Sequence, residues 1–132
     1  MTAPRRTRAA ALHVVDSSAW LEYLAGSERA ALFAEPIERP ASLVVPVITL
    51  YEVFKKVLRE RGEHLALRIV AHMQQGRVVD VDAALALKAA TLSLPLADSL
   101  IYATAQAHGA TLWTLDAHFQ GLPGVRHFAK AG

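Results

Sequence analysis

Apolar positions along the chain alternate between short β-type runs and longer stretches at the three and four residue spacing of helices. This is the pattern of strands exchanging with helices in βα units around a mostly parallel sheet. Leu12 to Val15 reads as a first strand and Ser18 to Ala25 as a helix stopped by Gly26. A second helical piece over Glu28 to Glu35 is expected to end before Pro36. The run Leu43 to Ile48 reads as a second strand, its pairing interrupted at Pro46. A long helix is then expected from about Thr49. It places Leu50, Val53, Phe54, Val57 and Leu58 on one stripe and groups Glu52, Lys56 and Arg59 beside it, until Gly62 breaks it. Further on come a helix over Glu63 to Gln75, a strand over Val78 to Val81, and a helix over Ala83 to Leu92. A helix over Leu96 to His108 follows, closed by Gly109 as its C-cap. Strands at Thr111 to Leu115 and Val125 to Phe128 complete the series, with no repeat, low-complexity tract or linker.

With 132 residues, 53% of them hydrophobic, one domain spanning 1–132 is expected to bury its own core. The absence of cysteine excludes disulfides, zinc-thiolate sites and thiol catalysis, so a bound metal would be held by oxygen or imidazole. Residues 1–11, with Arg5, Arg6 and Arg8, read as a flexible basic arm. The apolar run behind it is broken by His13 and Asp16 too early for a signal-peptide core. No apolar stretch is long enough to cross a bilayer, and a soluble, cytoplasmic protein is expected. The net charge of +2 argues little by itself, but Lys55, Lys56, Arg59, Arg61 and Arg68 concentrate base in one stretch.

The candidate chemistry lies in four acids. Asp16 follows the first strand and Asp116 follows the strand ending at Leu115, where open parallel sheets bind their ligands. Thr114, two residues before Asp116, is expected to project to the same face and to orient a carboxylate or a water. Asp98 and Glu52 are each expected in the first turn of a helix. Each acid also has an ordinary local role, as an N-cap for Asp16 and Asp116, a dipole partner for Asp98, or a mate of Lys56 for Glu52. Asp98 fits its local role least well, because Ile101, Tyr102 and Ala105 make its stripe apolar. Four convergent carboxylates repel one another unless a cation neutralises them. An all-oxygen set suits a hard divalent ion, Mg²⁺ or Mn²⁺, and phosphodiester hydrolysis is the reaction such a site performs. The six histidines, His13, His64, His72, His108, His118 and His127, show no metal-ligand spacing, and of them only His118 is expected near the acids.

Four segments together carry a family resemblance: Asp16-Ser17-Ser18-Ala19-Trp20, Leu50-Tyr51-Glu52-Val53, the block from Leu94 to Ala105 around Asp98, and Leu112 to Phe119 around Asp116. In this order they resemble a PIN domain over nearly the whole chain, and its length is most similar to the VapC toxins of toxin–antitoxin pairs. The resemblance implies a three-layer α/β/α sandwich around a mainly parallel sheet of about five strands. It also implies an endoribonuclease whose four acids bind Mg²⁺ or Mn²⁺ and which cuts RNA, often transfer or ribosomal RNA. Homodimerisation and a VapB-type antitoxin follow as partners. Many relatives carry a further acid where His118 stands here, which bears on a second metal position. Lys56 and Arg59 would then hold the RNA backbone. A phosphoacceptor receiver module is a rival, but it would place adjacent acids after the first strand, where Asp16 is followed by serines. A PIN-like module that binds without cleaving, or a PIN nuclease of RNA processing, also fits the residues.

Overall fold

A computed structural model describes residues 11–130, so most of the basic arm, with Arg5, Arg6 and Arg8, lies outside the described residues. Five strands, β1 (His13–Val15), β2 (Leu43–Pro46), β3 (Arg77–Val79), β4 (Thr111–Thr114) and β5 (Val125–His127), form one sheet in the order β3-β2-β1-β4-β5. Every pairing is parallel, with Val14 opposite Val44 on one side and Leu112 on the other. The α-helices are α1 (Ser17–Leu24), α2 (Ala34–Ile37), α3 (Val47–Arg61), α4 (Glu63–Met73), α5 (Ala83–Ala90) and α6 (Leu96–Ala107). Short 3₁₀ turns at Glu28–Phe33, Pro40–Ser42 and Ala117–Phe119 lie between these elements.

The strands are apolar on both faces because both are covered. Val15, Leu43, Val45 and Trp113 point into a core shared with Trp20 of α1, Val53 and Val57 of α3, and Ile69 and Met73 of α4. Val14, Val44 and Leu112 point the other way, against Ile101, Tyr102 and Ala105 of α6 and against Phe119. Leu85 and Ala89 of α5 cover the far side of α6 through Ala103. The result is the expected three-layer α/β/α sandwich, its sheet wholly parallel. Gly109 ends α6 at a φ of +61°, the left-handed conformation expected of a C-cap glycine.

Several boundaries differ from the sequence reading, among them β3, which runs Arg77–Val79 and leaves out Asp80 and Val81. Val47 and Ile48 belong to α3, because Pro46 ends β2 and stands as the N-cap of that helix. Proline is tolerated there since the first helical N–H groups have no partner in any case. Pro46 still holds its register opposite Val79, at the last position of the strand. Pro36 does not stop the preceding helix; it lies in the first turn of α2, which runs on to Ile37. Starting α3 two residues earlier also puts Glu52 in its second turn rather than its first.

Candidate active site

The strand order reverses between β1 and β4, since the chain leaves β1 toward β2 on one side and returns to pair β4 on the other. Crevices form beyond the carboxyl ends of strands at such a point. Asp16 and Asp116 both stand there. Asp16 follows β1 directly and its N–H bonds to the Trp113 carbonyl at 3.1 Å, which ties the two strand ends together.

Asp16 is 3% exposed, and its carboxylate is fully engaged. Oδ1 accepts from the Ser18 hydroxyl at 2.7 Å and from the Ala19 N–H at 3.1 Å, so Asp16 is also the N-cap of α1. Oδ2 accepts from the Thr114 hydroxyl at 2.7 Å. That hydroxyl oxygen in turn accepts the Asp116 N–H at 2.8 Å, and the Ser18 oxygen accepts the Leu115 N–H at 3.3 Å. Thr114, fully buried, is thus the link between the first and last aspartates. Burial pushes the Asp16 carboxyl up to about 6; the Ser18, Thr114 and Ala19 bonds oppose this, and the Asp116 charge adds to it.

The second half of the site joins α6 to the turn after β4. Asp98, in the first turn of α6, keeps 16% of its side chain exposed, as its apolar stripe implied. Burial raises its carboxyl above the usual range, the His118 hydrogen bond lowers it, and the Asp116 charge raises it. His118 Nδ1 lies 2.8 Å from Asp98 Oδ2 and 3.2 Å from Asp116 Oδ1. Asp116 caps the 3₁₀ turn by accepting the His118 N–H at 2.9 Å, which folds the histidine back over the carboxylate. Among the described residues, Asp98, Asp116 and His118 are the one group of potential ligands whose donor atoms all lie within 4.8 Å of one another.

Asp16 and Glu52 stand outside that group. Glu52 Oε1 accepts from the Ser17 hydroxyl at 2.6 Å, so it joins the site through the residue next to Asp16. It does not pair with Lys56, whose Nζ lies 2.9 Å from Glu60 instead. Arg59, Lys56, Lys55, Tyr51, Glu52 and Ser17 line one groove of about 300 Å³. Sequence reasoning did not assign roles to Ser17 and Ser18, and it left His118 without a role. Their signal was position alone: two hydroxyls following Asp16, and an imidazole two residues beyond Asp116.

The chain is thus an all-parallel α/β domain with aspartates at the ends of β1 and β4 and at the start of α6. More narrowly, the chain is a member of the PIN domain family, whose model matches residues 13–125. Its fold is similar to a toxin–antitoxin complex from Klebsiella pneumoniae, at 24% identity and a TM-score of 0.74 over 86% of this chain and 95% of that one. It is similar to VapC20 of Mycobacterium tuberculosis, a toxin that cleaves the sarcin–ricin loop, at 22% identity and a TM-score of 0.67 over 83% and 94%. DNA-bound VapBC from Salmonella typhimurium matches at 16% identity and a TM-score of 0.67 over 90% and 98%. At these identities the likeness is one of fold. No curated protein matches the chain in sequence. Among the described residues no helix is long and apolar enough to cross a membrane.

Proposed function

We propose that this PIN domain is a Mg²⁺- or Mn²⁺-dependent endoribonuclease, the toxin of a VapBC-type pair, working as a homodimer restrained by a VapB-type antitoxin. The observation that carries the reading is the meeting of Asp98 and Asp116 donor atoms within 4.8 Å, with Asp16 hydrogen-bonded through Thr114 to the Asp116 backbone. Aspartates so placed, two of them raised by burial, suit a divalent cation that relieves both their repulsion and their desolvation. Similar folds include a toxin–antitoxin complex and an RNA-cleaving toxin, which favours this reading within the family.

Asp98 and Asp116 would hold the metal, with Asp16 joined to Asp116 through Thr114 and Glu52 held by Ser17 beside Asp16 in the chain. When bound, such an ion acidifies a water for attack on phosphorus and stabilises charge on the leaving oxygen. The chain's own part is positional. Thr114 and Ser18 fix Asp16, so its carboxylate presents one orientation without rearranging on substrate arrival. Ser17 holds Glu52 toward the groove in the same way.

The test is cleavage of total RNA by the purified protein with Mn²⁺ or Mg²⁺, against EDTA and an Asp98→Asn control. Discrete fragments that require both the ion and Asp98 are expected. Cutting that survives EDTA, or that Asp98→Asn leaves intact, would overturn the metal–carboxylate mechanism, and no cutting in either ion would overturn the nuclease.

In this reading the groove of Tyr51, Lys55, Lys56 and Arg59 takes the RNA backbone. Lys56→Ala and Arg59→Ala are each expected to weaken RNA binding by the Asp98→Asn protein. The slope of log affinity against log salt should become shallower by about 0.7 for each phosphate of a single strand that the variant no longer neutralises. The Lys56–Glu60 pair is exposed and screened by solvent, so folding should survive its loss. Fluorescence anisotropy across a salt series measures this, and unchanged slopes would remove the two residues from the RNA path.

A further inference from the structure

The acids alone describe an oxygen site, yet the tightest group of potential ligands in the described chain includes a nitrogen. His118 Nδ1 sits between the two carboxylates, 2.8 Å from Asp98 Oδ2 and 3.2 Å from Asp116 Oδ1. Two features of the backbone put it there. The 3₁₀ turn Ala117–Phe119 is capped by Asp116, whose carboxylate takes the His118 N–H and so returns residue 118 over residue 116. The first turn of α6 then delivers Asp98 to the other side of the ring. The His118 side chain is 57% exposed, so an incoming ion can reach the ring from solvent.

Chemistry distinguishes an imidazole from a third carboxylate at this place. Mg²⁺ takes oxygen donors, keeps several waters and dehydrates reluctantly. Imidazole nitrogen is a poor exchange for those waters, whereas first-row transition ions accept it, with affinity rising from Mn²⁺ to Co²⁺ and beyond. We propose that His118 gives up the Nδ1 proton it donates to the two carboxylates when a metal binds, keeping one on Nε2, and that Nδ1 is then a direct metal ligand alongside Asp98 and Asp116 which shifts the ion preference of the site from Mg²⁺ toward transition ions. The inference rests on the metal-dependent reading for the presence of an ion, but not on RNA cleavage.

The experiment uses the full chain without RNA, so it reads the metal and not the nuclease. Pulsed electron paramagnetic resonance of the Mn²⁺ complex should show coupling to one ¹⁴N nucleus, absent in His118→Ala and in His118→Asp. Calorimetric titration with Co²⁺ and with Mg²⁺ should show wild type favouring Co²⁺. His118→Asp, which offers oxygen in place of nitrogen, should lower the Co²⁺-to-Mg²⁺ affinity ratio. Mn²⁺ bound without nitrogen coupling, or a ratio unchanged in His118→Asp, overturns the inference and leaves the carboxylate nuclease standing. Failure of wild type to bind any of the three ions overturns both. The ¹⁴N signal is read on wild type, so the result does not depend on the folding of either variant.

Discussion

Asp16→Asn is expected to make the metal-free protein more stable at pH 7.5 while abolishing its RNA cleavage. Burial holds the Asp16 carboxyl at about 6 in the folded chain, against 3.8 when exposed. Well below the unfolded value of 3.8 the group is protonated in both folded and unfolded chains and imposes no penalty. As pH rises through the interval between these values, the unfolded chain ionises first, so the folded state loses stability. Above about pH 6 the penalty is constant. A gap of about two pH units corresponds to about 3 kcal/mol. Asparagine removes the charge and keeps an acceptor for Ser18 and Ala19, but its amide must donate toward the Thr114 oxygen, so the Thr114 hydroxyl has to turn. The net gain should therefore fall below that ceiling.

Urea unfolding in EDTA across pH measures the effect. Wild type and variant should converge well below the unfolded value of 3.8 and separate above about 6, with the variant more stable. Added Mn²⁺ should narrow the difference. An ion that binds only the folded chain stabilises it by about 2.7 kcal/mol at a hundredfold excess over its dissociation constant, and the variant lacks the charge that draws it. A wild type more stable than Asp16→Asn at pH 7.5 without metal would mean that the hydrogen bonds around Asp16 outweigh its burial.

Phe119→Ala is expected to cost about 3–5 kcal/mol, the range for emptying a buried aromatic site. Total stabilities of domains lie at about 5–15 kcal/mol, so this loss takes a large share. Phe119 is fully buried, packs with Ile101, Tyr102 and Leu112, and stacks on Tyr102 with ring centroids 6.3 Å apart. It also closes the turn that carries Asp116 and His118, so metal affinity should fall with stability even where the variant remains folded. Urea denaturation should show a lower midpoint at unchanged slope. A loss under about 1 kcal/mol would show that α6 collapses into the space. Phe119→Leu, which keeps most of the volume, should lose less on both measures.

Much of this molecule is legible in local pattern. The short unbroken apolar runs Val14-Val15 and Leu112-Trp113, against the spacing of four in Val53-Val57 and Ile101-Ala105, separate strands covered on both faces from helices. The acids Asp16, Asp98 and Asp116 stand out for a similar reason: a charged group amid apolar neighbours is costly unless it is used. Local pattern misplaces what depends on a neighbour. Val47 and Ile48 look like a strand because their apolar side chains continue β2, and only the start of α3 at Pro46 assigns them to a helix.

The amino-acid sequence by itself thus determined the order of strands and helices and the mainly parallel sheet, and the family resemblance it carries supplied the three layers. Tertiary structure alone decided which groups meet. Thr114 bonds Asp16 across 98 residues, Ser17 bonds Glu52 across 35, and His118 reaches Asp98 across 20. Lys56 turns to Glu60 although Glu52 stands at the same spacing on the same helix. Periodicity is set by each residue's own backbone, but such pairings are set by strand order and layer packing, whose determinants are spread over the whole chain.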